Sequence, residues 1–264
     1  NTTGLSSIDY RLTDEITDPA GDERHYTEKL FYLRNGFSCY APPTDTPEVA
    51  LPPPCRKGAV TFGSFNNLLK INPSVIDLWC RVLQSNPSAR MIILRDVLRG
   101  KVRERMYQAF AQRGIDRERI DLLCEVPDEY RSAIRGRSYF ALYQHIDIAL
   151  DTFPWNGHTM SCETLWMGVP VVTLYGDRHA GRLSASVLTA IGLPQLIAYT
   201  PDEYVRIATE LANNPGELER LRAGLRDQMR NSPLCDGKGF TTILEQAYRE
   251  MWRDWCLRVR GNGR

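Results

Sequence analysis

Two short polar segments carry most of the chemistry this chain can offer. The first is Gly63-Ser64-Phe65-Asn66-Asn67-Leu68-Leu69-Lys70, and the second is Asn156-Gly157-His158-Thr159-Met160 with Glu163. Lys70 supplies a mobile ammonium that can reach a diphosphate. Asn66 and Asn67 supply amide donors for phosphate or sugar oxygens. His158 and Thr159 stand where a helix is predicted to open, so its free amides, its dipole and the Thr159 hydroxyl can meet an anion. Glu163 lies one turn further in, where a carboxylate can accept from a ribose diol. Each reading has a plainer alternative. Lys70 can be a solvated lysine, and Asn66 and Asn67 can be turn formers. His158 can be a helix cap, and Glu163 can be a partner of the helix dipole. Grouped on two loop-to-helix junctions, they favour a nucleotide or sugar-phosphate site.

A third segment, Asp177-Arg178-His179 with Arg182, follows the next predicted strand and can face the same crevice. Arg182 can help to neutralise phosphate, and Asp177 reads as the N-cap of the next helix. Asp147, inside an apolar strand, reads as a buried structural acceptor. Asp147 and Asp151 lack the Asp-x-Asp spacing of a metal-diphosphate clamp. That favours metal-free binding by lysine and amides. The loop at residues 63–70 is no Walker loop, because Gly-Lys-[Ser/Thr] is absent. The four histidines have no metal-ligand spacing, and no metal is expected.

The elements that must position these residues alternate. Strands are predicted at 60–62, 90–94, 120–123, 147–150 and 169–174. Helical spacing is predicted at 75–83, 103–113, 138–143 and from 158 to 167. That order argues for an α/β fold, a Rossmann-like doubly wound parallel sheet. Helices follow at 183–191, 201–213, 215–230 and 240–259. In the last of these, Tyr248, Trp252 and Trp255 read as core-facing. Residues 1–45 are too short to bury a core alone. They offer a strand at 8–12, helical spacing at 25–33 and a final strand at 37–40. Residues 46–57 are Pro-rich and read as an extended linker, and residues 58–260 as the main lobe.

The 264 residues carry 33 basic and 32 acidic side chains, which gives no reason to expect nucleic acid or a membrane surface as partner. No apolar run is long enough to span a bilayer. The seven cysteines are scattered, with no Cys-x-x-Cys pair, as in a reducing, cytoplasmic compartment. The chain opens on Asn1 rather than Met, which reads as a fragment or a processed product.

At these residues the chain resembles a known family. The runs VTFGSFNNLLKINPSVIDLWCRVLQSNPSARMIIL and DTFPWNGHTMSCETLWMGVPVVTLYG look like the C-terminal catalytic lobe of the O-GlcNAc transferase/SPINDLY family, glycosyltransferase family 41. The start, NTTGLSSIDYRLTDEITDP, and the end, SPLCDGKGFTTILEQAYREMWRDWC, resemble the SPINDLY-like branch and its bacterial relatives. The likeness implies the C-terminal half of a two-lobed GT-B fold with extra C-terminal helices, usually preceded by tetratricopeptide repeats. Residues 1–45 then match the tail of the N-terminal lobe. Since the last helix of a GT-B fold crosses back to that lobe, the apolar face of residues 240–259 is expected to need it.

The implied activity is transfer of GlcNAc from UDP-GlcNAc to Ser or Thr hydroxyls of proteins, inverting, metal-independent and without a cofactor. Lys70 is the implied catalytic residue and diphosphate contact. His158 and Thr159 match the family's phosphate-binding helix start. Glu163 stands where the animal enzyme has an Asp that holds the ribose hydroxyls, and Asn67 where it has a Gln near the phosphates. Met160 replaces a Thr and so removes one hydroxyl contact. Tyr139 replaces a His beside the base, which leaves base recognition open. Asn66, Asn156, Gly157 and Arg182 complete the expected donor-binding set. Groups that approach the acceptor lie largely outside this stretch, so an isolated fragment is expected to be inactive or weakly active. Two alternatives stand beside this reading: a protein O-fucosyltransferase using GDP-fucose, and a non-catalytic interaction lobe.

Overall fold

The computed structural model describes residues 2–51, 59–127 and 138–261. It opens with two short parallel strands, β1 (Tyr10–Thr13) and β2 (Lys29–Tyr32), separated by a 3-10 turn at Asp22–His25. From there strands and helices alternate: β3 (Thr61–Ser64), α1 (Pro73–Ser85), β4 (Arg90–Leu94), α2 (Gly100–Ala111) and β5 (Ile120–Leu123). A 3-10 segment, Ser138–His145, leads into β6 (Ile148–Leu150), α3 (Thr159–Trp166), β7 (Val171–Leu174), α4 (Leu183–Ala190) and β8 (Ile197–Ala198). Three helices close the chain: α5 (Pro201–Ala212), α6 (Pro215–Arg230) and α7 (Gly237–Gly261).

Strands β3 to β8 form one parallel sheet in the order β5-β4-β3-β6-β7-β8. The chain winds outward from β3 in one direction, then returns to β6 on its other side. The loops after β3 and β6 therefore part in opposite directions and leave a crevice at the carboxyl ends of the strands. Both polar segments singled out in the sequence leave the sheet at this point.

Local signals explain the elements. Asn72 caps α1, its side chain accepting from Val75 N at 3.1 Å, with Pro73 in the first turn. Thr200 and Asn214 cap α5 and α6 in the same way. The α1 stripe Val75, Trp79, Val82 and Leu83 is fully buried, and the central strands are covered on both faces, which is why they read as continuous apolar runs. Asp147 is buried just before β6 and accepts from Thr61 N at 2.8 Å, the structural role expected of it.

Several expectations are corrected. Residues 25–33 are not helical. They give the end of a 3-10 turn and then β2, because Leu30 becomes buried while the backbone pairs with β1. Residues 37–40 form no strand, because their amides bond elsewhere: Phe37 N to the Asp14 carboxylate and Tyr40 N to Leu234 O. Asp177 does not cap α4. It pairs with Arg178, and α4 starts only at Leu183, six residues after Asp177. Tyr248, Trp252 and Trp255 are not core-facing, with exposures of 58%, 63% and 42%. The stripe of α7 that meets Leu33 is Ala247 and Met251. The aromatic stripe starts one residue on, about 100° around the helix, and points away. The expected linker falls partly outside the described residues, at 52–57, as does Gly58, the expected start of the main lobe. Among the described residues no helix is long and apolar enough to cross a membrane.

Candidate active site

Asp151, the first residue after β6, organises the crevice. Its side chain is buried, and Oδ1 accepts from Thr152 N at 2.9 Å, Gly157 N at 2.8 Å and Asn66 Nδ2 at 3.3 Å. Oδ2 accepts from Thr173 Oγ1 on β7 at 2.8 Å. Burial pushes the Asp151 carboxyl up, against the pull of Ser184, Gly157, Thr173 and Thr152. One carboxylate thus ties together the loops after β3 and β6. Gly157 is needed here for space: a Cβ would stand 2.5 Å from Ser161 Oγ and 3.0 Å from Asn66 Oδ1.

Asn156 is fully buried. Its amide N donates to Ala180 O at 2.8 Å and its side-chain Nδ2 to Thr152 O at 2.8 Å. Its carbonyl accepts from Lys70 Nζ at 2.7 Å. Lys70 is therefore not a solvated lysine. It is half-buried, lies 5.2 Å over the Trp155 ring, and is drawn from the β3 loop onto the β6 loop. Burial lowers its pKa, Arg95 lowers it further, and Asp151 opposes both. Asn67 does form a turn, accepting from Leu69 N at 3.0 Å.

His158 occupies the N-cap position of α3 without a side-chain cap bond, so it does not satisfy the first amides of α3. Thr159 is exposed at this end and Met160 is half-buried behind it. Glu163 lies one turn into α3. It is buried, and both its oxygens accept from Tyr139 OH at 3.0 Å. Tyr139 in turn stacks on Phe140 at 4.8 Å.

Arg182 is held from two sides: Nε donates to Gly176 O at 2.8 Å in the loop after β7, while in the N-terminal segment Nη1 donates to Thr17 O at 3.2 Å and the guanidinium pairs with Asp22. Beside it, His179 Nδ1 lies 2.8 Å from Asp18 Oδ2, and Asp14 Oδ2 accepts from Ser186 Oγ at 2.6 Å. Three aspartates at four-residue spacing, Asp14, Asp18 and Asp22, therefore dock residues 14–22 onto residues 179–186.

Sequence reasoning missed Arg95. It follows β4, and its Nε donates to Asn66 O at 2.7 Å. Burial lowers its pKa, while Tyr143, Asp96, Tyr139 and Glu163 raise it. A cation thus stands among the residues of the crevice, anchored by one N–H. A charged residue closing the strand Arg90–Leu94 was the available signal. Among the described residues no cluster of three or more His, Cys, Asp or Glu is arranged to hold a metal ion.

Residues 51–244 match glycosyl transferase family 41. The chain is 42% identical over 257 residues to the probable UDP-N-acetylglucosamine–peptide N-acetylglucosaminyltransferase SPINDLY of Solanum lycopersicum, covering 97% of this chain and 27% of that protein. It is similar to a solved variant of the Thermobaculum terrenum O-GlcNAc transferase, with a TM-score of 0.89 and 40% identity over 98% of this chain and 48% of that one. The S. aureus TarM structure shares the fold at 10% identity, with a TM-score of 0.53 over 90% of this chain and 43% of that one. The chain therefore spans about a quarter of the tomato relative and about half of the bacterial enzyme, and its sheet is the C-terminal half of a GT-B fold.

Proposed function

Because the chain belongs to glycosyltransferase family 41, we propose that it is the donor-binding lobe of a protein O-glycosyltransferase. The reaction is transfer of GlcNAc from UDP-GlcNAc to Ser or Thr hydroxyls of acceptor proteins, with inversion and without a metal. The observation that carries this reading is the meeting of Lys70 with the uncapped start of α3 at the switch point, next to the buried carboxylate of Glu163.

The acceptor oxygen attacks the anomeric carbon as the bond to the β-phosphate oxygen breaks, and UDP leaves with the bonding electrons. The charge that develops on the diphosphate is met by the Lys70 ammonium, the amides of α3, the Thr159 hydroxyl and His158. Arg95, bonded to Asn66 O, adds a second cation. These groups do the work that a metal does in Asp-x-Asp sites. Glu163 holds the ribose hydroxyls, sharing its acceptor sites between them and Tyr139. The acceptor groove, the base and any tetratricopeptide repeats belong to the remaining length of the protein. Unpaired cysteines, among them Cys80 and Cys162, suit the cytoplasm.

Calorimetric titration of UDP and GDP into the chain and its Lys70→Ala variant tests the reading. UDP binding that weakens in the variant supports it. A preference for GDP moves the donor to GDP-fucose. A folded chain that binds neither returns the interaction-lobe reading.

A further inference from the structure

The His158 ring meets a hydroxyl from a residue 120 positions earlier in the chain, Ser38. We infer that Ser38 is a positioning residue for His158: its hydroxyl donates to Nε2, so the neutral ring keeps its proton on Nδ1 and offers it to the diphosphate. The inference rests on the reading of His158 as a phosphate contact.

The geometry begins with a tight turn after β2. Asn35 has φ 68° and Gly36 has φ 104°, two successive left-handed residues that reverse the chain. Phe37 N is then pinned by Asp14 Oδ2 at 3.0 Å. Asp14 is itself fixed, because its Oδ1 accepts from Ile16 N at 3.0 Å and Thr17 N at 2.7 Å. Three residues beyond Phe37, Tyr40 N donates to Leu234 O at 2.8 Å. Between these pins the Phe37 ring stacks on His158 with centroids 5.6 Å apart and planes 14° apart, and meets His179 at 5.2 Å. Ser38 Oγ lies 3.0 Å from His158 Nε2.

The chemistry follows from the ring's surroundings. Burial lowers the pKa of His158 below its ordinary value, His179 and Lys70 lower it further, and Asp14 opposes them. The imidazole is therefore neutral near pH 7 and has a single N–H to place. Nδ1 is the ring nitrogen nearer the main chain, hence nearer the start of α3, and it makes no hydrogen bond to the described residues. A serine hydroxyl can donate or accept. If it accepted from Nε2, a lone pair on Nδ1 would face the anion. If it donates, Nδ1–H faces the anion. Which nitrogen carries the proton is set by the partner of the other one.

The test uses the full 264-residue chain, whose four histidines make nitrogen-15 tautomer measurements tractable. His158 is followed with and without UDP in the wild type, Ser38→Ala and Ser38→Thr, beside calorimetric titrations of UDP and uridine. We expect the Nδ1–H tautomer in the UDP complex. Ser38→Ala should weaken UDP about tenfold, the scale of one hydrogen bond to a charged group, and leave uridine unchanged. Ser38→Thr, which keeps the hydroxyl, should restore UDP binding. An Nε2–H tautomer in the complex overturns the inference. So does a Ser38→Ala variant that binds UDP as the wild type does, or one that loses UDP and uridine equally. If the wild type binds neither UDP nor GDP, it is the donor reading that fails. The free chain then decides on Ser38: loss of the Nδ1–H preference in Ser38→Ala supports the inference, and its retention overturns it.

Discussion

Replacing Asp151 by Ala removes an acceptor and no apolar packing, so its effect can be worked from four hydrogen bonds. Thr152 N, Gly157 N, Asn66 Nδ2 and Thr173 Oγ1 all lose their partner in a buried site. At about 1 kcal/mol of net stability per bond the loss is about 4 kcal/mol. Removing a buried carboxylate returns part of this, since ionised groups are expensive to desolvate. We therefore expect a net destabilisation of about 3 kcal/mol, or a fall in Tm of about 6–12 °C for a domain of this size.

Asp151→Asn is the control. It keeps the oxygen that receives the loop amides and should cost about 1 kcal/mol or less. Because burial raises the Asp151 pKa above its unfolded value, its contribution is greatest below the unfolded pKa and declines as pH rises through the folded one. The gap between wild type and Asp151→Asn should shrink over that rise. Urea and thermal denaturation from pH 4 to pH 8 measure all of this. An Ala variant within about 0.5 kcal/mol of wild type would refute the role of Asp151 as the tie between the loops. An Asn variant as damaged as the Ala variant would show that charge, not acceptor geometry, holds them.

Lys70→Ala should weaken UDP binding about 10- to 100-fold, as expected for a charged hydrogen bond. Its Tm should fall only slightly by calorimetry, because Asn156 keeps its bonds to Thr152 and Ala180. In the wild type, UDP affinity should drop as pH rises through a Lys70 pKa that burial and Arg95 set below 10.5, and this drop should vanish in the variant. Gly157→Ala forces a Cβ onto Ser161 Oγ and Asn66 Oδ1 and should destabilise by about 1–3 kcal/mol in urea denaturation. At Asp18, burial alone would raise the carboxyl, but bonds from His179, Thr13 and Tyr26 outweigh it and hold the pKa well below the carboxylate range. Its stabilisation is present above the unfolded pKa and is lost as pH falls towards the folded one. Asp18→Asn should therefore be the less stable protein at pH 7 and show a shallower acid transition by circular dichroism. An unchanged acid transition would remove Asp18 from the account.

The sequence by itself determined the elements of the main lobe. Apolar runs such as residues 90–94 and 120–123, the caps Asn72, Thr200 and Asn214, and the helical stripe of α1 are local signals, readable because each acts within a few residues. It also marked the two loops that meet at the switch point, since their Asn, Gly, Lys and His residues interrupt the apolar patterns of the strands and helices on either side. Tertiary structure decided the rest. The order β5-β4-β3-β6-β7-β8 rests on pairings between distant strands, and only that order sets the Lys70 loop beside the Asn156 loop. Asp151 reads in the sequence as one more carboxylate, because its four donors come together from the loops after β3 and β6 and from β7. Residues 25–33 have helical spacing, yet Leu30 finds its burial in a strand paired with β1. On α7 the spacing shows that Trp252 and Trp255 share a face, but which face meets Leu33 depends on where β2 lies. The bond between Ser38 and His158 joins residues 120 positions apart, and no local pattern encodes a contact at that separation.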